Sequence, residues 1–234
     1  MKKSWLLFLA LPFAVVLAAG QANADTCPSG GETTYASYLA LGSGGCTIGD
    51  KTFFGFTHGG DVAASSIDVT VVNDGTNFGF IFQMPLAVIS GSGATGTAVA
   101  DVGLTYNVAV TSGAALITDV TALQTSSTIG SAFATVSETV CVGSTLPGCE
   151  GGTIMSLDTS DADPFDQITF GPVSVVGLSK DFVVAAANCP NGGCSFASLS
   201  IVQNTVSQTV PEPSTLLLLG SALVGVATWS RKKK

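Results

Sequence analysis

Between residues 25 and 209 apolar and polar positions alternate with a period of two. Ile67, Val69 and Val71 alternate with Asp68 and Thr70, and Leu104, Tyr106, Val108 and Val110 alternate with Thr105, Asn107 and Ala109. An extended chain points successive side chains to opposite faces, so each run predicts a strand with one face on a core. The stretches 51–57, 77–83, 132–142, 167–176, 182–187 and 194–202 add β-branched and aromatic residues, which suit a pleated, half-buried surface. Asn73-Asp74-Gly75 lies between two such runs and predicts a hairpin turn, because these residue types tolerate the positive φ that tight hairpins need. Alternation is weak from Ser112 to Ser131, which reads as a long loop or an edge strand. No 3.6-residue period shows between the two ends. Roughly ten short strands with Gly, Ser, Thr and Asn between them predict an all-β domain, an antiparallel β-sandwich of jelly-roll-like form, with strand order left open.

The two ends read differently. Met1-Lys2-Lys3 is a positive start, Trp5 to Ala19 an apolar run, and Ala22-Asn23-Ala24 a small-x-small cleavage site. Residues 1–24 are therefore expected to be a secretory signal peptide cut after Ala24, with Ala22 and Ala24 as the small residues signal peptidase needs. Lipidation is not expected, because Gln21 stands where a lipobox needs Cys. At the other end Val210-Pro211-Glu212-Pro213-Ser214-Thr215 precedes an apolar run to Trp229 and then Arg231-Lys232-Lys233-Lys234. Pro211 and Pro213 have no backbone N–H and hold the residues before them extended. The seventeen positions from Ser214 to Ser230 carry no charge. As a helix they would measure roughly 25 Å, enough for a short transmembrane helix with its cations on the cytoplasmic side. Basic residues flank both apolar segments, so before processing the middle is expected outside. The organisation is 1–24 signal peptide, 25–209 ectodomain and 210–234 sorting tail.

Taken together, Val210-Pro211-Glu212-Pro213-Ser214-Thr215, the Leu/Gly helix and the basic end resemble the PEP-CTERM sorting signal of bacterial exported proteins. That resemblance implies recognition and cleavage by a membrane-embedded exosortase, through an inner-membrane intermediate held by the C-terminal helix, followed by release or transfer to the cell surface or the extracellular space. Three segments of the middle, Cys46-Thr47-Ile48-Gly49-Asp50-Lys51-Thr52-Phe53, Ser137-Glu138-Thr139-Val140-Cys141 and Val175-Val176-Gly177-Leu178-Ser179-Lys180-Asp181, resemble recurring segments of PEP-CTERM ectodomains of unassigned role. They imply a β-rich exported domain and bring no catalytic residue to this chain.

Charge sharpens the picture. Six of the eight cations lie in the end segments, so the ectodomain sets Lys51 and Lys180 against fifteen acids, a net charge of −13. Without a basic patch, nucleic acid is not an expected partner. The ectodomain holds all six cysteines, Cys27, Cys46, Cys141, Cys149, Cys189 and Cys194, and an oxidising compartment makes disulfides the default. Proximity in sequence suggests Cys27–Cys46, Cys141–Cys149 and Cys189–Cys194, each worth about 2–3 kcal/mol by loop closure. A zinc site is disfavoured: there is no C-x-x-C, and His58 is the only histidine.

Four constellations carry candidate chemistry. Asp158, Asp161, Asp163 and Asp166 supply hard oxygen donors that suit calcium, although the EF-hand spacing is missing and a solvated turn reads better. Gly91-Ser92-Gly93-Ala94-Thr95-Gly96 has the dinucleotide-loop spacing, but strand-like sequence follows it where a helix is required, so it reads as a flexible loop. His58 has no nucleophile elbow beside it and reads as a loop histidine. Leu146-Pro147-Gly148-Cys149 reads as a turn. No catalytic residue and no cofactor other than calcium is expected. The expected function is that of an exported, exosortase-processed surface or matrix protein, structural or adhesive, with exopolysaccharide or biofilm as the partner the resemblance suggests. Two alternatives stay open: a calcium-dependent carbohydrate-binding module, and a secreted glycoside hydrolase using two carboxylates.

Overall fold

A computed structural model describes residues 25–29, 33–91, 96–111, 113–187 and 194–208. Twelve strands are described. They are β1 (Asp25–Thr26), β2 (Cys46–Ile48), β3 (Lys51–Gly60), β4 (Asp68–Asn73), β5 (Asn77–Ser90), β6 (Ala98–Val110), β7 (Ile117–Ile129), β8 (Ala132–Val142), β9 (Thr153–Ser160), β10 (Phe165–Val173), β11 (Val175–Ala186) and β12 (Ser195–Gln208). One short helix, α1 (Tyr35–Leu39), and a 3-10 turn at Ala64–Ser66 complete the set.

The pairing is that of a long ribbon folded on itself. β5 pairs with β12, β6 with β11, β7 with β10 and β8 with β9, all antiparallel. Rolling that ribbon lays β12 beside β7 and β11 beside β8. Two sheets result, ordered β10-β7-β12-β5-β4 and β1-β2-β3-β6-β11-β8-β9. This is a jelly roll with strands added at one edge of each sheet, and it bears out the expected sandwich. The exception to antiparallel pairing is β1, which runs parallel to β2.

Alternation explains why each strand lies as it does. On β6 the inward column is Val102, Leu104, Tyr106 and Val108, and on β5 it is Phe78, Phe80, Phe82, Met84 and Leu86, all buried. The two columns face each other and make an aromatic centre. Phe80 meets Phe53 edge-on at 4.9 Å and Tyr106 at 5.4 Å between ring centroids. Helix α1 closes this centre with Tyr35 and Tyr38, both buried. The Tyr35 hydroxyl donates to the carbonyls of Thr57 and Thr105, and Tyr38 to that of Pro28. Five residues are too few to show a helical period, so α1 left no trace in the pattern.

Sequence and structure part in two places. The stretch around 112–131 contains β7, a central strand between β10 and β12, not a loop or an edge. Its alternation is blurred because Gln124 occupies a core position. Gln124 stays satisfied there, donating to the Ala134 carbonyl and to Ser126 Oγ and accepting from Thr159 Oγ1. The run 167–176 divides at Ser174 into β10 of one sheet and β11 of the other, and 182–187 continues β11. The hairpin at Asn73-Asp74-Gly75 forms as expected between β4 and β5, with Gly75 at φ +89°. Asp74 accepts from Thr76 N, Thr76 Oγ1, Asn77 N and Asn77 Nδ2, and these donors hold its carboxyl below the usual carboxylate range.

The jelly roll has two ends. β12 finishes at Gln208 beside the Asn73–Gly75 hairpin, where Gln208 N donates to the Thr76 carbonyl. Turns after β2, β4, β6, β8 and β10 share this end, called the foot below. The turns after β3, β5, β7, β9 and β11 lie at the other.

Candidate functional site

The four aspartates are not gathered into a donor set. Asp158 on β9 accepts from Ser137 Oγ at 2.6 Å, and Asp161 accepts from Thr128 Oγ1 at 3.0 Å. Asp166 on β10 accepts from the Asp158 backbone N–H at 2.9 Å, and the Asp163 N–H donates to Ser160 Oγ. These contacts hold the turn between β9 and β10 and tie it and β9 to the neighbouring strands β7 and β8. Among the described residues no group of three His, Cys, Asp or Glu side chains is placed to hold a metal, so the calcium expectation finds no donor cluster here.

The other expected sites divide between the described residues and the rest. Cys27–Cys46 and Cys141–Cys149 are disulfides, with Cα atoms 4.6 and 5.5 Å apart. The first ties the start of the ectodomain to β2, and the second closes the turn between β8 and β9. That turn is also held by Asn107, whose side chain exchanges two hydrogen bonds with the backbone of Leu146. Cys194 is exposed and forms no disulfide among the described residues, and its expected partner Cys189 lies outside them. Ala22, Ala24 and the stretch from Val210 to Thr215 also lie outside, as does the apolar tail. Among the described residues no helix is long and apolar enough to cross a membrane. The glycine-rich stretch at 91–96 falls between β5 and β6, so among the described residues it is followed by a strand rather than by the helix a dinucleotide would need. His58 is on β3 rather than in a loop, and its Nε2–H donates to the Val62 carbonyl at 2.8 Å.

Both ectodomain lysines are buried, and this is the feature the sequence reading missed. Lys51 opens β3 at the foot. Its ammonium donates to Asp50 Oδ1 at 2.6 Å, to the Ala115 carbonyl at 3.0 Å and to Gln208 Oε1, and sits 4.9 Å from the centre of the Phe78 ring. Lys180 lies in the core between the sheets, so the described surface presents carboxylates and no ammonium or guanidinium group.

Around Lys180 the core holds a connected polar set. Lys180 on β11 stands in register with Glu138 on β8, and its Nζ donates to Glu138 Oε1 at 2.8 Å, with both side chains wholly out of solvent. Glu138 Oε2 accepts from Asn204 Nδ2 at 2.7 Å, across from the opposite sheet. Asn204 Oδ1 accepts from the Tyr106 hydroxyl at 2.6 Å, and its amide also donates to the Thr121 carbonyl at 3.1 Å. The Tyr106 ring lies 4.4 Å from Lys180 Nζ. Burial pushes the Lys180 amine down and the Glu138 carboxyl up, each opposed by its partner. Gly79, opposite Thr205, lets β5 approach this part of β12, since a Cβ there would meet the Asn204 carbonyl oxygen at 2.1 Å.

A signal for this set does exist in the sequence. Lys180 falls between Leu178 and Phe182, Glu138 between Val136 and Val140, and Asn204 between Val202 and Val206, each at the apolar parity of its strand. A polar residue in an inward column needs a partner, and three such residues invite the question of whether they are one another's.

Comparison with known proteins adds two findings. Residues 209–232 match the PEP-CTERM protein-sorting motif. In fold, the chain is similar to the solved structure of TmCBM61 in complex with β-1,4-galactotriose, at 11% identity and a TM-score of 0.35, over 66% of this chain and 88% of that one. No curated protein matches the chain.

Proposed function

We propose, from the premise that this chain is an exported exosortase substrate bearing a PEP-CTERM sorting motif at residues 209–232, that its jelly roll serves as a structural protein of the cell surface or extracellular matrix. The observation that carries this reading is where the sorting segment joins the domain. It continues directly from Gln208, the last residue of β12. β12 is the middle strand of its sheet and is paired along its length with β5 on one side and β7 on the other. After transfer by the exosortase, tension entering at the new C-terminus just beyond Gln208 would act along β12 and be opposed by two hydrogen-bond ladders at once, which suits a tethered domain. Disulfides at Cys27–Cys46 and Cys141–Cys149 support service outside the cell.

The matrix partner this surface suits is a neutral polysaccharide, because carboxylates without exposed cations repel acidic glycans. No catalytic turnover is part of this reading. Co-sedimentation of the purified ectodomain with exopolysaccharide from its own host, together with loss of matrix cohesion when the gene is deleted, is the expected result. An unaltered matrix and no co-sedimentation would count against it.

A further inference from the structure

The core set at Lys180 contains the parts of an acyl-transfer reaction in one buried place. Lys180 supplies an amine, Asn204 a carboxamide, Glu138 a proton carrier touching both, and Tyr106 a donor on the carboxamide oxygen. The two oxygens of Glu138 share one carbon, so the amine at 2.8 Å and the amide nitrogen at 2.7 Å are both held by a single group. The Thr121 carbonyl and the Tyr106 hydroxyl grip the carboxamide from two other directions and fix its plane.

We infer that Lys180 and Asn204 form an intramolecular amide bond, Nζ to Cγ, which joins β11 of one sheet to β12 of the other through the core. The bond does not depend on the function proposed above.

The chemistry balances without a co-reactant. Lys180 first passes a proton to Glu138, leaving a neutral amine and a neutral carboxylic acid. Burial favours that exchange, since desolvation acts against both charged forms. The amine lone pair then attacks Cγ of Asn204, and the carbonyl electrons move onto Oδ1. The Tyr106 hydroxyl already points at that oxygen and stabilises the charge developing on it. Glu138 gives its proton to Nδ2 and takes one from Nζ. The Cγ–Nδ2 bond breaks, ammonia leaves with the bonding pair, and the carbonyl re-forms. The products are a secondary amide, ammonia and a protonated Glu138. Nothing is oxidised or reduced. Fixed proximity supplies the driving geometry that free amines and amides lack in water.

Glu138 therefore acts as a catalytic residue that is also buried in the finished fold. Its neutral final state is the form that a dry core tolerates, so the reaction replaces a buried ion pair with uncharged groups.

Intact-mass spectrometry of the wild-type exported protein tests the bond. Once the disulfides are counted, the mass is expected to fall below the sequence value by one ammonia, and protease digestion is expected to give a branched peptide joining the Lys180 segment to the Asn204 segment. Glu138→Gln keeps the size and hydrogen-bonding shape of the side chain but removes its proton transfer, so this variant should keep the full mass and give two linear peptides. Asn204→Ala should do the same. Should either variant fail to fold, the wild-type branched peptide decides alone. A wild-type protein of full sequence mass without that peptide overturns the inference, and so does an ammonia loss that maps to any other residue.

Discussion

Lys51 and Gln208 meet at the foot of the jelly roll, where the ammonium of the first residue of β3 donates to the side-chain carbonyl of the last residue of β12. The contact spans 157 residues of sequence and lies one residue before the sorting segment begins. Lys51 also grips Asp50 and the Ala115 carbonyl, so one buried cation ties the β2–β3 turn, the β6–β7 turn and the end of β12 together.

Removing the Gln208 side chain should loosen that tie. Gln208→Ala is expected to lower the stability of the ectodomain by about 1.5–3 kcal/mol, the usual worth of a hydrogen bond to a charged group, towards the lower figure because Gln208 is half-exposed. Thermal or urea unfolding measures it, and an unchanged midpoint would show that Gln208 is not held.

The burial of both lysines has a chemical consequence. In the folded, processed ectodomain neither Lys51 nor Lys180 should react with an amine-acylating reagent; trypsin should cut after Lys51 once the fold opens, but not after Lys180, whose Nζ the inferred amide blocks. Peptide mapping after brief labelling reads this directly. Acylation of either lysine in the native protein would place it at the surface.

Much of this fold lies on the face of the sequence, and the reason is locality. Strands such as Leu104 to Val110 show themselves because alternation is a property of neighbours in sequence. The Asn73-Asp74-Gly75 turn, Cys27–Cys46 and Cys141–Cys149 show themselves because each closes over a short distance. The sorting motif is contiguous and legible for the same reason. What stayed hidden is long-range. Lys180 meets Glu138 across 42 residues, Glu138 meets Asn204 across 66, and Tyr106 meets Asn204 across 98, through a sheet order that no local pattern encodes. β7 was obscured by a satisfied core glutamine, Gln124, whose partners lie on other strands.

Alkaline titration offers a probe of the core. The chain has three tyrosines, Tyr35, Tyr38 and Tyr106, all buried, and burial pushes each hydroxyl above its ordinary value. A folded-state value above the unfolded one means that the stability from neutral tyrosines is fully present below about pH 10 and is lost as pH rises beyond it. Phenolate absorbance and the β-sheet circular dichroism signal should therefore change together above that pH. Smooth ionisation near the ordinary value with the sheet signal intact would mean that these hydroxyls reach water.

The most direct test of the whole account is the mass and cell fraction of the native protein in its own host, with and without the exosortase. A C-terminus within residues 210–213 and recovery from the surface or matrix fraction are expected, both lost when the exosortase is absent. An intact tail held in the membrane under both conditions would contradict it.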